Sequence, residues 1–254
     1  MNKKTVGIAL SGGGAKAIAQ LGVLAAMEEI NLQPDIISGV SAGAMIGALY
    51  ADGMSPKEII SFLKQSNFFR LVTLNIPKKG LLSTKQLEKV LQATLKAKTF
   101  EELKIPLIVN ATNISMGKPV YFDTGTIVDK LVASSSIPIV FAPKVIHGEQ
   151  YVDGGIFSNI PAKIIRDRCD VLIGVHVNPI VPNGHSSNVF EIAERVFHLT
   201  IQSNTLEEKK VCDIVIETVE TKNFSMFDMS KSKKIFDIGY EYAMRTFEQQ
   251  KDKL

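Results

Sequence analysis

The first fifty residues constrain the fold more than any other part of the chain. Val6–Leu10 is a short apolar run ended by Gly12, Gly13 and Gly14, and a helical pattern carrying Ile18, Leu21, Val23, Leu24 and Met27 follows from about Ala15 to Ile30. A second apolar run, Ile36–Gly39, enters the tight turn Gly39-x-Ser41-x-Gly43, and the Ala-rich stretch Ala42–Tyr50 follows until Asp52-Gly53 ends it. Strand, glycine turn, helix, strand, tight turn, helix is the order of a parallel sheet with helices packed on it, since parallel strands need a crossover between them. An α/β fold is therefore expected.

The remaining pattern agrees. Ser55-Pro56 caps and opens a helix to about Lys64, and Ser83-Thr84 opens another to about Leu95. Pro106–Thr112 and Lys118–Phe122 read as strands joined by a hairpin at Met116-Gly117. A helix from about Thr126 to Ala133 leads into SSSIPIVFAP; a strand ends at Tyr151–Asp153; Val171–Val177 is the strongest buried-strand signal. Asn188–Leu206 reads as a helix, Asp213–Val219 as a late strand, and Lys231–Gln249 as a last helix with Phe236, Tyr240, Ala243 and Phe247 on one stripe. No repeat or low-complexity linker divides the 254 residues, so a single domain over 1–254 is expected.

Composition excludes several classes of function. A net charge of +3 lies too near neutral to suggest nucleic acid. Cys169 and Cys212 form no CxxC pair and no Cys/His cluster of zinc spacing, so neither a disulfide framework nor a metal site is expected, and no cofactor is called for. The apolar run behind Lys3 and Lys4 is too short for a signal peptide, and no stretch reaches the ~18–20 apolar residues of a membrane-spanning helix. A cytoplasmic protein is the expectation.

Three motifs carry chemistry. Gly39-x-Ser41-x-Gly43 between strand and helix is the context of a nucleophile elbow, in which the serine backbone is strained and only small residues fit at the flanks; the competing reading is a plain turn with serine as a helix cap. Gly12-Gly13-Gly14-Ala15-Lys16 places unpaired amides at a helix start, where they could hold an oxyanion. The same loop fits the dinucleotide fingerprint as Gly12-x-Gly14-x-x-Ala17, but Asp35 precedes the second strand instead of ending it, which disfavours a nucleotide. A serine nucleophile needs a base. None of His147, His176, His185 and His198 carries a motif, whereas Asp153 ends a strand at Gly154-Gly155, a bendable corner that is also an ordinary turn signal.

Four blocks in order resemble the patatin-like phospholipase family: SGGGAKAIAQLGVL, GVSAGAM, SSSIPIVFAP and YVDGGIFSNIP. The resemblance covers nearly the first two thirds of the chain. It implies a three-layer α/β/α fold with a mainly parallel sheet, of the kind shared by FabD and lysophospholipases, and calcium-independent lipid acyl hydrolysis by a Ser41–Asp153 dyad without histidine. Gly12, Gly13 and Gly14 would lie in the oxyanion loop with Lys16 at its basic position, Gly39 and Gly43 would support the elbow, and Gly154 and Gly155 the aspartate turn. Ala17 departs from the glycine often found there. The expected partner is a lipid or lysolipid substrate. The apolar loop Phe68–Ile76, followed by Lys78 and Lys79, and the stretch Lys222–Lys234 are candidates for peripheral contact with the inner face of a membrane, and the loop leaves a homodimer open.

Overall fold

In a computed structural model of the chain, residues 4–65, 84–138, 140–179, 189–225 and 229–254 are described. Among the described residues, eight strands form one sheet: β1 (Val6–Leu10), β2 (Ile36–Val40), β3 (Leu107–Asn113), β4 (Lys118–Phe122), β5 (Lys144–Ile146), β6 (Glu149–Asp153), β7 (Val171–His176) and β8 (Ile214–Glu217). The spatial order is β5-β6-β3-β2-β1-β7-β8, with β4 also on β3. The pairs β3/β2, β2/β1, β1/β7 and β7/β8 are parallel, and only the end built from β3, β4, β5 and β6 is antiparallel.

The helices are α1 (Ile18–Glu29), α2 (Ala42–Ala51), α3 (Pro56–Gln65), α4 (Lys85–Thr94), α5 (Val128–Ser134), α6 (Val189–Lys209) and α7 (Ser232–Gln249). Successive strand side chains point to opposite faces, and this alternation makes the layers. Ile8, Leu10, Ile37, Val109, Ile173 and Val175 join the main core with α1, α2 and α7. Ala9, Ile36, Ile108 and Leu172 face the other way, onto Ile160, Ala162 and Ile165. The result is a three-layer α/β/α fold with a mainly parallel central sheet, as expected from the βαβα order. On the main face α1 and α7 cross backbone to backbone: a Cβ on Gly239 would run into the Ala19 carbonyl, and one on Gly22 into that of Phe236.

The first helix differs in detail from its sequence pattern. The turn Gly14–Ala17 is 3₁₀, and the α-helix starts at Ile18. The expected hairpin between β3 and β4 turns through Gly117 at φ 63°. The short strand β5 was not foreseen; it pairs with β6 across His147 and Gly148, both at positive φ. Among the described residues no helix is long and apolar enough to cross a membrane. The loop Phe68–Ile76 lies outside the described residues, as do 226–228 within Lys222–Lys234.

Candidate active site

The site forms where β2, β3 and β6 meet. Along β3, Asn110 lies between Val40 of β2 and Tyr121 of β4, and the next residue, Ala111, lies between Asp153 of β6 and Val120 of β4. Since β4 occupies one edge of β3, β2 and β6 share the other. They run toward each other and end there, one at Val40 and the other at Asp153. Ser41, the residue after Val40, therefore emerges beside the end of β6. The ends of β2 and β6 thus place Ser41 beside Asp153 although 112 positions separate them.

Ser41 has φ 55° and ψ −127°, a conformation that costs a non-glycine residue of order 1–3 kcal/mol and persists only where surroundings impose it. Those surroundings are specific. A Cβ on Gly43 would collide with the carbonyls of Leu10 and Ser11, and one on Gly39 would lie 2.8 Å from the Ala44 backbone. Only glycine lets β1, the elbow and the first turn of α2 approach so closely. The Ser41 amide donates to Ser134 Oγ at 2.8 Å, while its carbonyl accepts from Met45 N at 3.2 Å and starts α2.

Asp153 is buried, 3% exposed. Its amide donates to the Ser136 carbonyl at 3.0 Å, and its Oδ1 accepts from Gly155 N at 2.8 Å. The Ser-rich block therefore clips both ends of the pair, Ser134 on the elbow and Ser136 on β6. Gly154 lets the turn lie on β3, since a Cβ there would sit 2.5 Å from the Asn110 carbonyl. Asn110 Nδ2 then donates to Gly154 O at 3.0 Å and Ser158 O at 2.7 Å.

The glycine loop lies on the other side of Ser41. A Cβ on Gly12 would be 3.3 Å from Ser41 Cβ and 2.9 Å from Asn159 Oδ1. Gly12 donates its amide to Asn159 O at 3.3 Å, so its N–H is committed within the protein. Among the described residues no hydrogen bond takes the amides of Gly13 and Gly14, and Gly14 holds φ 55°. The expected donors thus narrow to Gly13 and Gly14. Lys16 is buried, which lowers its pKa below the ordinary lysine value, and its Nζ donates to Asn178 Oδ1 at 2.9 Å. Lys16 and Asn178 both border Gly13.

Asn159 joins the loop to the aspartate turn, because its Oδ1 is also 3.4 Å from where Gly155 would carry a Cβ. It is 2% exposed, and among the described residues nothing accepts from its Nδ2. Helix α6 holds this segment from behind. Asn204 accepts from Asn159 N at 3.0 Å and donates to Gly155 O and Ile156 O at 2.9 and 3.1 Å. Glu208 accepts from Ser158 Oγ at 2.8 Å, Ala162 N at 3.0 Å and Lys163 N at 2.8 Å. Ser134, Ser136, Asn159, Asn204 and Glu208 were not foreseen as parts of the site. Only the serine run and the Asn-x-Pro after the Asp-Gly-Gly turn marked some of them in the sequence.

The other titratable candidates lie elsewhere. His176 is buried on β7, where burial lowers its pKa, and its Nδ1 meets Glu217 Oε1 at 2.9 Å. Glu217 also accepts from Lys209 Nζ at 2.6 Å and is held down at about 2, first by the His176 hydrogen bond. His147 is exposed in the β5–β6 turn; His185 and the side chain of His198 lie outside the described residues. Asp35, which a dinucleotide would need at the end of β2, accepts instead from Val6 N at 2.8 Å, at the far end of β1 from the glycine loop. Burial raises both thiols, that of Cys212 to about 12, which makes them poor nucleophiles. Among the described residues no group of three or more His, Cys, Asp or Glu could hold a metal ion.

The family model for patatin-like phospholipases matches residues 8–166, a span that contains the elbow, the glycine loop, the serine run and the aspartate turn. This chain belongs to the patatin-like phospholipase family. It is 25% identical over 281 residues to Lysophospholipase nte1 of Aspergillus terreus, a match covering 98% of this chain and 18% of that protein. It is 32% identical over 176 residues to an uncharacterized NTE family protein of Mycobacterium tuberculosis, covering 68% of this chain and 49% of the relative. The chain thus spans less than half the length of either relative. Among solved structures, VipD from Legionella pneumophila shares the fold with a TM-score of 0.58 and 18% identity, over 97% of this chain and 67% of that one.

Proposed function

We propose that the chain is a serine lipid acyl hydrolase in which Ser41 is the nucleophile and Asp153 its base, acting on phospholipid or lysophospholipid esters. The observation that carries this reading is the strained Ser41 backbone at the end of β2, facing the end of β6 at Asp153 on one edge of β3. The Asp153 carboxylate takes the proton from Ser41 Oγ as the oxygen attacks the ester carbonyl. The amides of Gly13 and Gly14 hold the oxyanion, each donor contributing about 3–4 kcal/mol at the transition state. The intermediate collapses, and the leaving alcohol takes the proton from Asp153. Water, deprotonated by the same carboxylate, then attacks the acyl-serine; the bond to Ser41 Oγ breaks, Oγ takes the proton back from Asp153, and the fatty acid leaves.

Gly12 braces the loop, and the buried Lys16 cation beside Gly13 adds positive potential at the oxyanion. The fungal relative is a lysophospholipase, which favours lysophospholipid esters among the substrates. The test is fatty-acid release from lysophosphatidylcholine and phosphatidylcholine in detergent micelles. Wild type should turn over at least one of them, and Asp153→Asn should lose at least about 10³-fold in kcat. Near-normal turnover by Asp153→Asn would remove the dyad.

A further inference from the structure

The fold leaves one buried amide unspent. Asn159 is 2% exposed, and its backbone is engaged on both sides: its N–H donates to Asn204 Oδ1 at 3.0 Å, and its carbonyl accepts from Gly12 N at 3.3 Å. Its side chain is not engaged in this way. Among the described residues no partner meets Nδ2, and no hydrogen bond ends on Oδ1. A buried amide without partners costs stability, and in native proteins such groups mark a catalytic role or a bound water.

Oδ1 lies beside both Ser41 and Asp153. The position a Cβ on Gly12 would take is 2.9 Å from Oδ1 and 3.3 Å from Ser41 Cβ. The same position on Gly155 is 3.4 Å from Oδ1 and 3.1 Å from Asp153 Oδ1. Because both are glycine, neither puts a side chain between the amide and the pair. From these contacts we infer that Asn159 orients the water that cleaves the acyl-enzyme. An amide suits water, since each both donates and accepts. The Asp153 carboxylate accepts one O–H of the water and Asn159 Oδ1 the other, which leaves a lone pair free for the acyl carbon on Ser41. As the new C–O bond forms, the first proton passes to Asp153. The intermediate then collapses, the bond to Ser41 Oγ breaks, and Oγ takes that proton back. Asn159 exchanges no proton at any step. With its backbone fastened to α6 and to the glycine loop, its amide is held in place before the water arrives. The attack of Ser41 on the ester involves no water, so the amide serves deacylation alone. The inference rests on the reading of the chain as a serine acyl hydrolase.

The test compares wild type with Asn159→Leu, a side chain of similar size without polar atoms. Two rates are read: labelling of Ser41 by a fluorophosphonate, and loss of the acyl group from Ser41 after mixing with p-nitrophenyl butyrate, followed by intact-mass spectrometry. The variant should label within about twofold of wild type and lose its acyl group about tenfold or more slowly. It should also release a burst of about one p-nitrophenol per active site as the acyl-enzyme accumulates. If leucine lowers the Tm, Asn159→Ala carries the same comparison. Loss of the acyl group at the wild-type rate overturns the inference. A parallel fall in labelling and acyl loss overturns it too, and assigns Asn159 to the packing of the glycine loop. Wild type that neither labels nor turns over the ester removes the hydrolase reading itself, and the inference with it.

Discussion

Val40 and Asp153 are consecutive neighbours along one edge of β3, Val40 opposite Asn110 and Asp153 opposite Ala111. Two strands arriving from opposite directions thus stop one residue's rise apart, about 3.3 Å along β3. The placement of Ser41 beside Asp153 is set by a buried central strand and is secured by the Ser134 and Ser136 clips. The proposed pairing of these two residues needs this register.

The elbow depends on close backbone approach. Gly43→Ala would drive a methyl group into the carbonyls of Leu10, which ends the central strand β1, and of Ser11, which follows it. The expected cost is about 1–3 kcal/mol in urea unfolding, with ester turnover lost even where the protein remains folded. A stable, fully active Gly43→Ala protein would mean that the turn is looser than its geometry.

Ser134 tests the clip on Ser41. Ser134→Ala leaves the buried Ser41 amide without its acceptor, a loss of about 1–3 kcal/mol in stability. Because the change acts on the elbow, kcat should fall while KM stays near the wild-type value. Ser134→Thr keeps the oxygen and should restore most of both quantities. Steady-state kinetics with denaturant titration of the two variants checks this.

The elbow, the glycine loop and the aspartate turn were legible in the sequence because each is local: a few residues of fixed type between a strand and a helix. The clips were not. Ser134 reaches Ser41 across 93 positions and Glu208 reaches Ser158 across 50, and neither pattern differs locally from a polar helix position. Helix α6 was legible as a helix, but periodicity gives a stripe without saying which way it points. Here the polar residues Asn204 and Glu208 face the body because unpaired backbone groups after Asp153 need them, and the apolar stripe is left outside. The three-residue strand β5 was too short to show any alternation.

Acid should expose the Glu217 cluster. The folded carboxylate is held at about 2, below its ordinary 4.5, by His176 and Lys209. A depressed carboxylate contributes stability above its unfolded pKa and loses it as pH falls through the folded value. The stability difference between wild type and Glu217→Gln should therefore be complete at pH 7 and shrink from about pH 4.5 toward 2. Parallel urea titrations over that range check the slope; a difference that does not change with pH would remove the charge from the account.

The most direct test of the central claim is covalent labelling by a fluorophosphonate probe. Wild type should label at one serine, Ser41→Ala should not label, and Asp153→Asn should label at least about 10²-fold more slowly although both variants keep the wild-type Tm. Labelling of Asp153→Asn at the wild-type rate, or of Ser41→Ala at all, would contradict the pairing of these two residues.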